Sequence, residues 1–201
     1  MQWVVTAGHC EANTQTTVWL GEHNRDVPGV ADYGSRNKVL RIGVGRAITH
    51  PRYPLDQTAD IALLRLRTSV DFARYPHIRP VCLPPGNKDY RGKKVVTTGW
   101  GQRRGGNGQP GSPTLQEAQL VVYNVGSYVD CRGYKAARSS CFGDSGGPLI
   151  ARGSQNSREL IGVVSWGPTE ACITETHFTR VATFLPWIRR NARGGASCPR
   201  A

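Results

Sequence analysis

The strongest chemical signal in this sequence is a serine inside a glycine-rich stretch, Cys141-Phe-Gly-Asp-Ser-Gly-Gly-Pro-Leu149. A serine hydroxyl becomes a nucleophile only when a base takes its proton and backbone N–H groups stabilise the oxyanion that forms. Flanking glycines let a substrate carbonyl approach the main chain. The stretch therefore favours acyl transfer at Ser145, although the same residues also occur in ordinary turns.

One arrangement of base and acid around this serine is excluded. The residues from Gly143 to Gly147 satisfy the G-x-S-x-G pattern of α/β-hydrolases, which requires a helix directly after the serine and the acid and histidine further along the chain. Gly146-Gly147-Pro148 blocks the start of a helix, and His177 is the sole histidine after Ser145.

The opposite order, histidine then aspartate then serine, fits the chain. His9 stands in VVTAGHC, Asp60 stands in TADIALLRL, and Ser145 stands in GDSGG. Each short match is weak alone, but the three in this order are specific for a Ser-His-Asp triad.

The elements that must position these residues are short β-strands. The chain has 24 glycines and 13 prolines among 201 residues, and only 38% of its residues are hydrophobic. Runs rich in β-branched residues alternate with glycine and proline, which predicts a many-stranded antiparallel protein. The runs are TTVWLG, KVLRIGVGRAITH, DIALLRL, KKVVTTGWG, LQEAQLVVYNV, GGPLIA and ELIGVVSWG. Near the end, Phe184, Trp187 and Ile188 have helical spacing after Thr183, which predicts a C-terminal helix with Thr183 as its N-cap.

Charge and cysteine content restrict the function further. Lysine and arginine total 26 against 14 acidic residues, a formal charge of +12. Such a surplus attracts acidic polymers. The basic residues are scattered in short groups, however, and no motif for specific nucleic-acid recognition is present. We therefore weigh a solvated basic surface against a polyanion site.

The six cysteines include no C-x-x-C pair, which argues against zinc and favours disulfides formed outside the cytosol. No apolar run approaches membrane-spanning length, and no signal peptide precedes the first motif. Either the cysteine usage is unusual for a cytosolic protein, or the natural start lies upstream.

The chain resembles the chymotrypsin-fold, trypsin-like serine endopeptidases, peptidase family S1. The stretches that carry this resemblance are WVVTAGHC, LGEHN, HPRY, DIALLRL, VCLP, TGWG, CFGDSGGPL, VSWG and FTRVATFLPWI. The resemblance implies an all-β fold of two six-stranded antiparallel β-barrels, the first incomplete, with a C-terminal helix. It places the protease domain at residues 1–193 and leaves 194–201 as a disordered tail. It also implies a secreted endopeptidase that requires no cofactor.

The resemblance assigns catalytic roles residue by residue. Ser145 would attack the scissile carbonyl, His9 would act as general base and then as general acid, and Asp60 would orient the imidazole. The backbone N–H groups of Gly143 and Ser145 would form the oxyanion hole, where the loss of one donor costs about 10²–10³ in rate.

The pocket that sets specificity in this family has its base six residues before the nucleophile, which here is Ser139. The carboxylate that selects arginine or lysine is therefore absent. Gly167 leaves the entrance open and Thr176 replaces a glycine, so we expect a shallower pocket for neutral side chains of medium size or larger. Glu175 would place a carboxylate there if the alignment shifted by one residue. The implied walls are Ser165, Trp166, Gly167 and Thr176.

Glu22 and Asp32 have the spacing of the calcium loop of some relatives, and hard oxygen ligands suit that ion. Two unrelated acids in an exposed loop are the alternative.

The resemblance also implies protein or peptide substrates and protease inhibitors as partners. The positive net charge adds acidic polymers as possible partners.

The chain departs from the family at its start, where strands normally precede the histidine motif. We therefore expect an N-terminal truncation, unpaired strand edges and a Cys10 without its usual partner. In active relatives the counterpart of Asp144 pairs with a new α-amino group. Since no activation sequence is present, we expect a zymogen-like state.

The remaining cysteines are only partly placed by the resemblance. It implies a disulfide between Cys141 and Cys172, and it compares Cys82 with a cysteine that tethers an upstream segment. We expect Cys131 to lack its usual disulfide partner, and Cys198 has no counterpart.

The alternative function is an inactive homologue that serves as a basic binding module, although such homologues usually have a substituted triad residue.

Overall fold

The computed structural model of the chain describes residues 2–27, 39–86, 88–103, 105, 109–134, 139–167, 172 and 175–193. Ten strands and one α-helix account for its regular structure. The strands are β1 Trp3–Thr6, β2 Thr17–Leu20, β3 Leu40–Thr49, β4 Ala62–Leu66, β5 Lys94–Gly99, β6 Gln116–Val125, β7 Tyr128–Gly133, β8 Pro148–Arg152, β9 Arg158–Trp166 and β10 Glu175–Arg180, and the helix is α1 Leu185–Asn191.

Six strands of the second half close into a barrel in the order β10-β7-β6-β5-β8-β9. Every neighbouring pair is antiparallel. Alternate side chains of each strand point inward, so branched aliphatic residues fill the interior around the fully buried Phe178.

The first half forms an open sheet of four strands in the order β1-β4-β3-β2. One face of this sheet packs on a smaller apolar cluster around Ile42, Leu66, Val70 and Ile78. A third cluster joins the two halves, because Ile61 and Leu63 of the first sheet pack with Trp187 and Ile188 of α1. This junction holds the turns that carry the candidate site.

The predicted all-β fold of two barrels, with the first incomplete and a helix at the end, is confirmed. The predicted N-cap is wrong, because Thr183 lies within a 3₁₀ turn, Val181–Phe184, that precedes the helix. The helix begins at Leu185 with Pro186 in its first turn, where a missing N–H costs nothing.

Four of the five described cysteines agree with the expectation from sequence, and Cys82 is the exception. Cys141 and Cys172 form a disulfide bond, whereas Cys10 and Cys131 are free thiols, the first exposed and the second buried. Cys82 is also disulfide-bonded. Cys198 and the predicted tail 194–201 lie outside the described residues.

Within the described part of the chain, no helix is long and apolar enough to cross a membrane.

Candidate active site

His9 and Asp60 form the best-defined contact of the site. His9 lies in a 3₁₀ turn, Gly8–Cys10, just after β1, and Asp60 follows the turn Gln57–Ala59 just before β4. The backbone N–H of His9 donates to Oδ1 of Asp60 at 2.9 Å, and the ring Nδ1 lies 2.7 Å from Oδ2. Because the carboxylate can only accept, Nδ1 carries the proton and Nε2 is the ring nitrogen that can take another.

Asp60 is buried, with 3% of its surface exposed, and its polar atoms are satisfied. Ser165 donates its hydroxyl to Oδ2 at 2.6 Å, and Thr179 donates its hydroxyl to the backbone carbonyl of Asp60 at 2.8 Å. Burial by itself raises the pKa of Asp60, but hydrogen bonds from His9 and Ser165 outweigh burial and lower it. The carboxylate therefore stays ionised beside the imidazole.

The same contact controls the charge of His9. Hydrogen bonds to the side chains of Asp60 and Cys10 raise the pKa of His9 to about 10, against partial burial, which lowers it. The contact with Asp60 thus favours the protonated form of His9, and Nε2 can act as a base only in the neutral fraction, which grows as the pH rises.

Ser145 lies in a tight turn between Cys141 and β8. Asp144 donates its N–H to the carbonyl of Cys141 at 3.0 Å, and Gly147 donates to the carbonyl of Asp144 at 2.9 Å. The N–H of Gly146 donates to the carbonyl of Val164 in β9 at 3.0 Å. These bonds fix the turn to the second barrel and leave Ser145 exposed.

Gly146 brings this turn against the turn that carries His9. Its φ is +75°, a conformation that favours glycine, and a Cβ there would lie 2.9 Å from Sγ of Cys10. The Ser145 turn therefore abuts the His9 turn. Within the described residues, however, no hydrogen bond joins the Ser145 hydroxyl to His9.

The N–H groups of Gly143 and Ser145 belong to the same turn. Gly143 has a φ of +91°, and a Cβ there would lie 3.2 Å from Cα of Gly101. A side chain at Gly143 would thus be strained twice, by its backbone conformation and by its neighbour.

Asp144 points away from Ser145 into the second barrel. Its Oδ1 accepts the N–H of Gly101 at 2.8 Å, and its Oδ2 accepts the N–H of Cys141 at 2.9 Å. Burial raises its pKa, while these two bonds oppose the rise. A cavity of about 760 Å³ lies beside it, lined among others by Gly99, Gly101, Ser139 and Asp144.

Ser139 and Thr176, two of the predicted pocket residues, meet directly through a hydrogen bond between their hydroxyl groups. Thr176 is 2% exposed, and the N–H of Ser139 donates to the carbonyl of Cys172 at 3.1 Å. Ser139 is therefore held next to the disulfide that ends at Cys141. Glu175 is the neighbour of Thr176 on β10 and receives a hydrogen bond from the hydroxyl of Tyr123 instead.

The other predicted pocket residues lie at the end of β9. Ser165 contacts Asp60, as described above, so its hydroxyl serves the candidate triad as well as the pocket. Trp166 is half exposed. A Cβ at Gly167 would lie 3.1 Å from the carbonyl of Glu175, so the two strands approach closely at this point.

A row of polar side chains behind Trp166 was missed by the sequence analysis. The ring of His177 stacks on the indole of Trp166 with centroids 3.7 Å apart and planes 18° apart. Its Nδ1 lies 2.8 Å from Oδ1 of Asp130, and Asn124 donates its side-chain N–H to Oδ2 of Asp130 at 2.7 Å. The four residues are successive cross-strand neighbours on β9, β10, β7 and β6. The lone histidine after Ser145 was the available signal.

A calcium site at Glu22 and Asp32 stays a prediction. Glu22 is buried, with 8% of its surface exposed, and its Oε1 accepts the N–H of His23 at 3.1 Å. Asp32 lies outside the described residues. Residues 2–27, 39–86 and the other described ranges contain no group of three or more residues suited to hold a metal ion.

A closed six-stranded barrel packed against an open sheet, with the candidate residues on turns at their junction, is the architecture of chymotrypsin-fold serine proteases. The family model described as Trypsin matches residues 1–188. The chain therefore belongs to the trypsin family of serine proteases.

Individual relatives agree with this assignment. The chain is 34% identical to phenoloxidase-activating factor 1 of Holotrichia diomphalia, over 96% of the chain and 60% of that protein. It is 30% identical to the serine proteinase stubble of Drosophila melanogaster, over 95% of the chain and 26% of that protein. The chain thus spans less than two thirds of the length of these relatives.

A solved structure shows the same fold. Neuropsin, a serine protease expressed in the limbic system of mouse brain, superposes with a TM-score of 0.77 at 26% identity. The match covers 95% of this chain and 85% of the neuropsin chain.

Proposed function

We propose that this chain is a secreted serine endopeptidase domain in which Ser145, His9 and Asp60 form the catalytic triad. The observation that carries this proposal is the doubly bonded His9–Asp60 pair, because an orienting acid bonded to Nδ1 is what a general base at Nε2 requires. The Ser145 turn abuts the same segment. The Cys141–Cys172 disulfide supports secretion, because disulfides form and persist mainly in oxidising compartments outside the cytosol.

The proposed chemistry follows from these positions. Nε2 of His9 takes the proton of the Ser145 hydroxyl as Oγ attacks the scissile carbonyl. The N–H groups of Gly143 and Ser145 stabilise the resulting oxyanion, and the imidazolium then gives its proton to the leaving amine. A water molecule, deprotonated by His9, then attacks the acyl-enzyme, and the carboxylic acid product is released as Ser145 regains its proton. Asp60 remains ionised throughout and stabilises the imidazolium.

We propose that the substrate pocket accepts neutral side chains. The base is formed by the hydroxyls of Ser139 and Thr176, which bond to each other, and the carboxylate of Glu175 is bonded to Tyr123. A lysine or arginine bound against these two hydroxyls would therefore meet no carboxylate at the base of the pocket, and an unpaired buried charge costs several kcal/mol. We expect substrates with neutral residues to be cleaved at least about 100-fold faster than those with arginine, which corresponds to about 2.7 kcal/mol.

The state of Asp144 is the second part of this proposal. Its carboxylate bonds two backbone N–H groups at the edge of a cavity and has no cationic partner among the described residues. In the trypsin family an α-amino group supplies that partner. We propose that a peptide with a free α-amino group, bound in this cavity, would convert the chain from a zymogen-like to a reactive state.

The experiment that tests both parts is fluorophosphonate labelling of the folded chain. The wild type and Ser145→Ala are each labelled in the absence and in the presence of the dipeptide Ile-Val. The N-acetylated dipeptide is the matched control because it lacks the charged amine. We expect labelling of the wild type only, and stimulation by the free dipeptide only.

Two results would count against the proposal in different ways. Equal labelling of Ser145→Ala, or no labelling of folded wild type under either condition, would remove the catalytic assignment. Labelling at the same rate with the free and acetylated dipeptides would leave the triad in place and remove the role proposed for Asp144.

A further inference from the structure

The face of the open sheet opposite its apolar cluster carries four arginines. Arg41 and Arg46 lie on β3, Arg65 lies on β4, and Arg67 follows directly after β4. All four side chains are exposed. We call this surface the arginine face.

Two of these arginines lie directly opposite each other. Arg46 and Arg65 are Cα partners in the β3–β4 ladder. Like charges in that position are destabilising, so a sheet normally avoids them. Neither guanidinium has a hydrogen-bond or ion-pair partner in the described part of the chain. The described lysine or arginine ion pairs lie elsewhere, at Arg52–Asp56, Lys88–Glu159 and Arg91–Asp89.

Two glycines of β3 make room on the arginine face for one of its four arginines. Gly43 and Gly45 of β3 leave room for the stem of Arg67, since a Cβ at Gly43 would lie 3.3 Å from its Cδ and one at Gly45 would lie 3.4 Å from its Cγ. The Arg67 guanidinium also donates to the carbonyl of Thr14 at 3.4 Å. The stem of Arg67 is therefore laid along β3.

This chemistry suits a ligand with a row of oxyanions. Guanidinium groups present paired N–H donors that match the oxygens of sulfate or phosphate, and a repeating anion would neutralise the opposed Arg46 and Arg65 together. The exposed aromatic beside the face is Trp19, whose ring is covered by Arg41 at 3.9 Å. The face of the indole under Arg41 is thus occupied and cannot stack on a nucleobase, as single-stranded nucleic acid would require.

We infer that the arginine face is a binding site for a sulfated polysaccharide, separate from the candidate active site. The site needs no catalysis, so the inference stands whether or not the chain hydrolyses peptides. It assigns a place on the molecule to part of the +12 charge.

The test is a titration with a heparin-derived dodecasaccharide, between about 50 and 300 mM sodium chloride, so that counterion release is measured. The variant is Arg46→Gln with Arg65→Gln. The control is Arg189→Gln with Arg190→Gln, which removes the same charge from two exposed positions on α1. We expect the Kd of the first variant to rise at least about tenfold and its salt slope to fall by about two. The control should stay within about threefold of the wild type.

Three outcomes would overturn the inference. Equal losses in both variants would mean that binding follows net charge alone. Equal competition by single-stranded DNA of the same length would mean that sulfate is not the group recognised. A fall in the unfolding temperature of Arg46→Gln/Arg65→Gln would mean that these arginines serve the fold, since removing opposed charges should leave it unchanged or raise it.

Discussion

At the scale of single residues, Asp60 sets the protonation of His9, and this can be tested by titration. We expect Asp60→Asn to bring the pKa of His9 from about 10 down toward 6.5, because the hydrogen bond to a charged acceptor is lost. Ring proton shifts followed by NMR as a function of pH measure this directly. Ser165→Ala is the control, because it leaves the His9–Asp60 bond in place, and its His9 should still titrate well above 6.5.

The raised pKa of His9 also predicts how stability and labelling rate depend on pH. A raised histidine pKa stabilises the folded chain fully below 6.5, and the contribution is lost as the pH rises through about 10. The fraction of His9 in the neutral form, which can act as a base, increases over the same interval. Fluorophosphonate labelling of the wild type should therefore accelerate between pH 7 and 10. A wild-type His9 that titrates at or below 6.5 would contradict this account.

Gly99 offers a second test at this scale, because a Cβ there would lie 2.8 Å from Cγ of Asp144. We expect Gly99→Ala to displace the Asp144 carboxylate and break its bonds to Gly101 and Cys141. The free energy of unfolding should fall by about 2–4 kcal/mol, with loss of labelling. Gly86→Ala is the matched control, since nothing lies within 4 Å of its Cβ. Urea unfolding compares the two, and an equal effect would exclude the proposed clash.

Residue types and order made His9, Asp60 and Ser145 the candidate triad, but they did not predict how these side chains are held. His9, Asp60 and Ser145 stand out because few sequences place these types in these short contexts. The Ser165 bond to Asp60 joins residues 105 positions apart, and the need for glycine at position 99 depends on where Asp144 folds back. Neither can be read from local sequence, because each is created by tertiary contact.

At the scale of elements, the row of Trp166, His177, Asp130 and Asn124 joins four strands, and we expect its members to be energetically coupled. His177→Phe keeps a ring against the indole but leaves Asp130 without one partner. A double-mutant cycle with Asp130→Asn should give an interaction energy of about 1–2 kcal/mol. The control cycle pairs His177→Phe with Asp89→Asn, whose partner is Arg91, and should be additive within about 0.5 kcal/mol.

The same row should act on substrate binding, because it holds the back of Trp166. In an active preparation, His177→Phe is expected to raise the KM for peptides while kcat changes little, since the triad is untouched. A fall in kcat at constant KM would instead connect the row to the chemistry.

Strand prediction succeeded where apolar residues alternate and failed where pairing partners supply the stability. Seven strands were predicted from their β-branched runs. The others, β1, β7 and β10, are short or polar, as in ETHFTR of β10. β10 exists because β7 and β9 pair with it on both sides, and β7 follows β6 through a tight turn at Gly126. Barrel closure, rather than local propensity, decides these segments.

At the scale of the whole molecule, the open sheet borders an apolar groove. The groove has a volume of about 600 Å³ and reaches from the sheet interior to the Gly146–Pro148 segment beside Ser145. Its apolar lining includes Trp3, Leu66, Val70, Phe72 and Ile78. Apolar surface of this kind attracts hydrophobic ligands, and the strands at both ends of the sheet, β1 and β2, can pair with another chain.

These two properties of the open sheet can be separated by one substitution. Thr17 is an exposed residue of the edge strand β2, and a lysine there should oppose edge-to-edge pairing without entering the groove. We expect the folded wild type to bind 8-anilinonaphthalene-1-sulfonate and to self-associate with rising concentration in sedimentation velocity. Thr17→Lys should lose the self-association and keep the dye binding. If it lost both together, the groove rather than the strand edge would be the surface through which the chains associate.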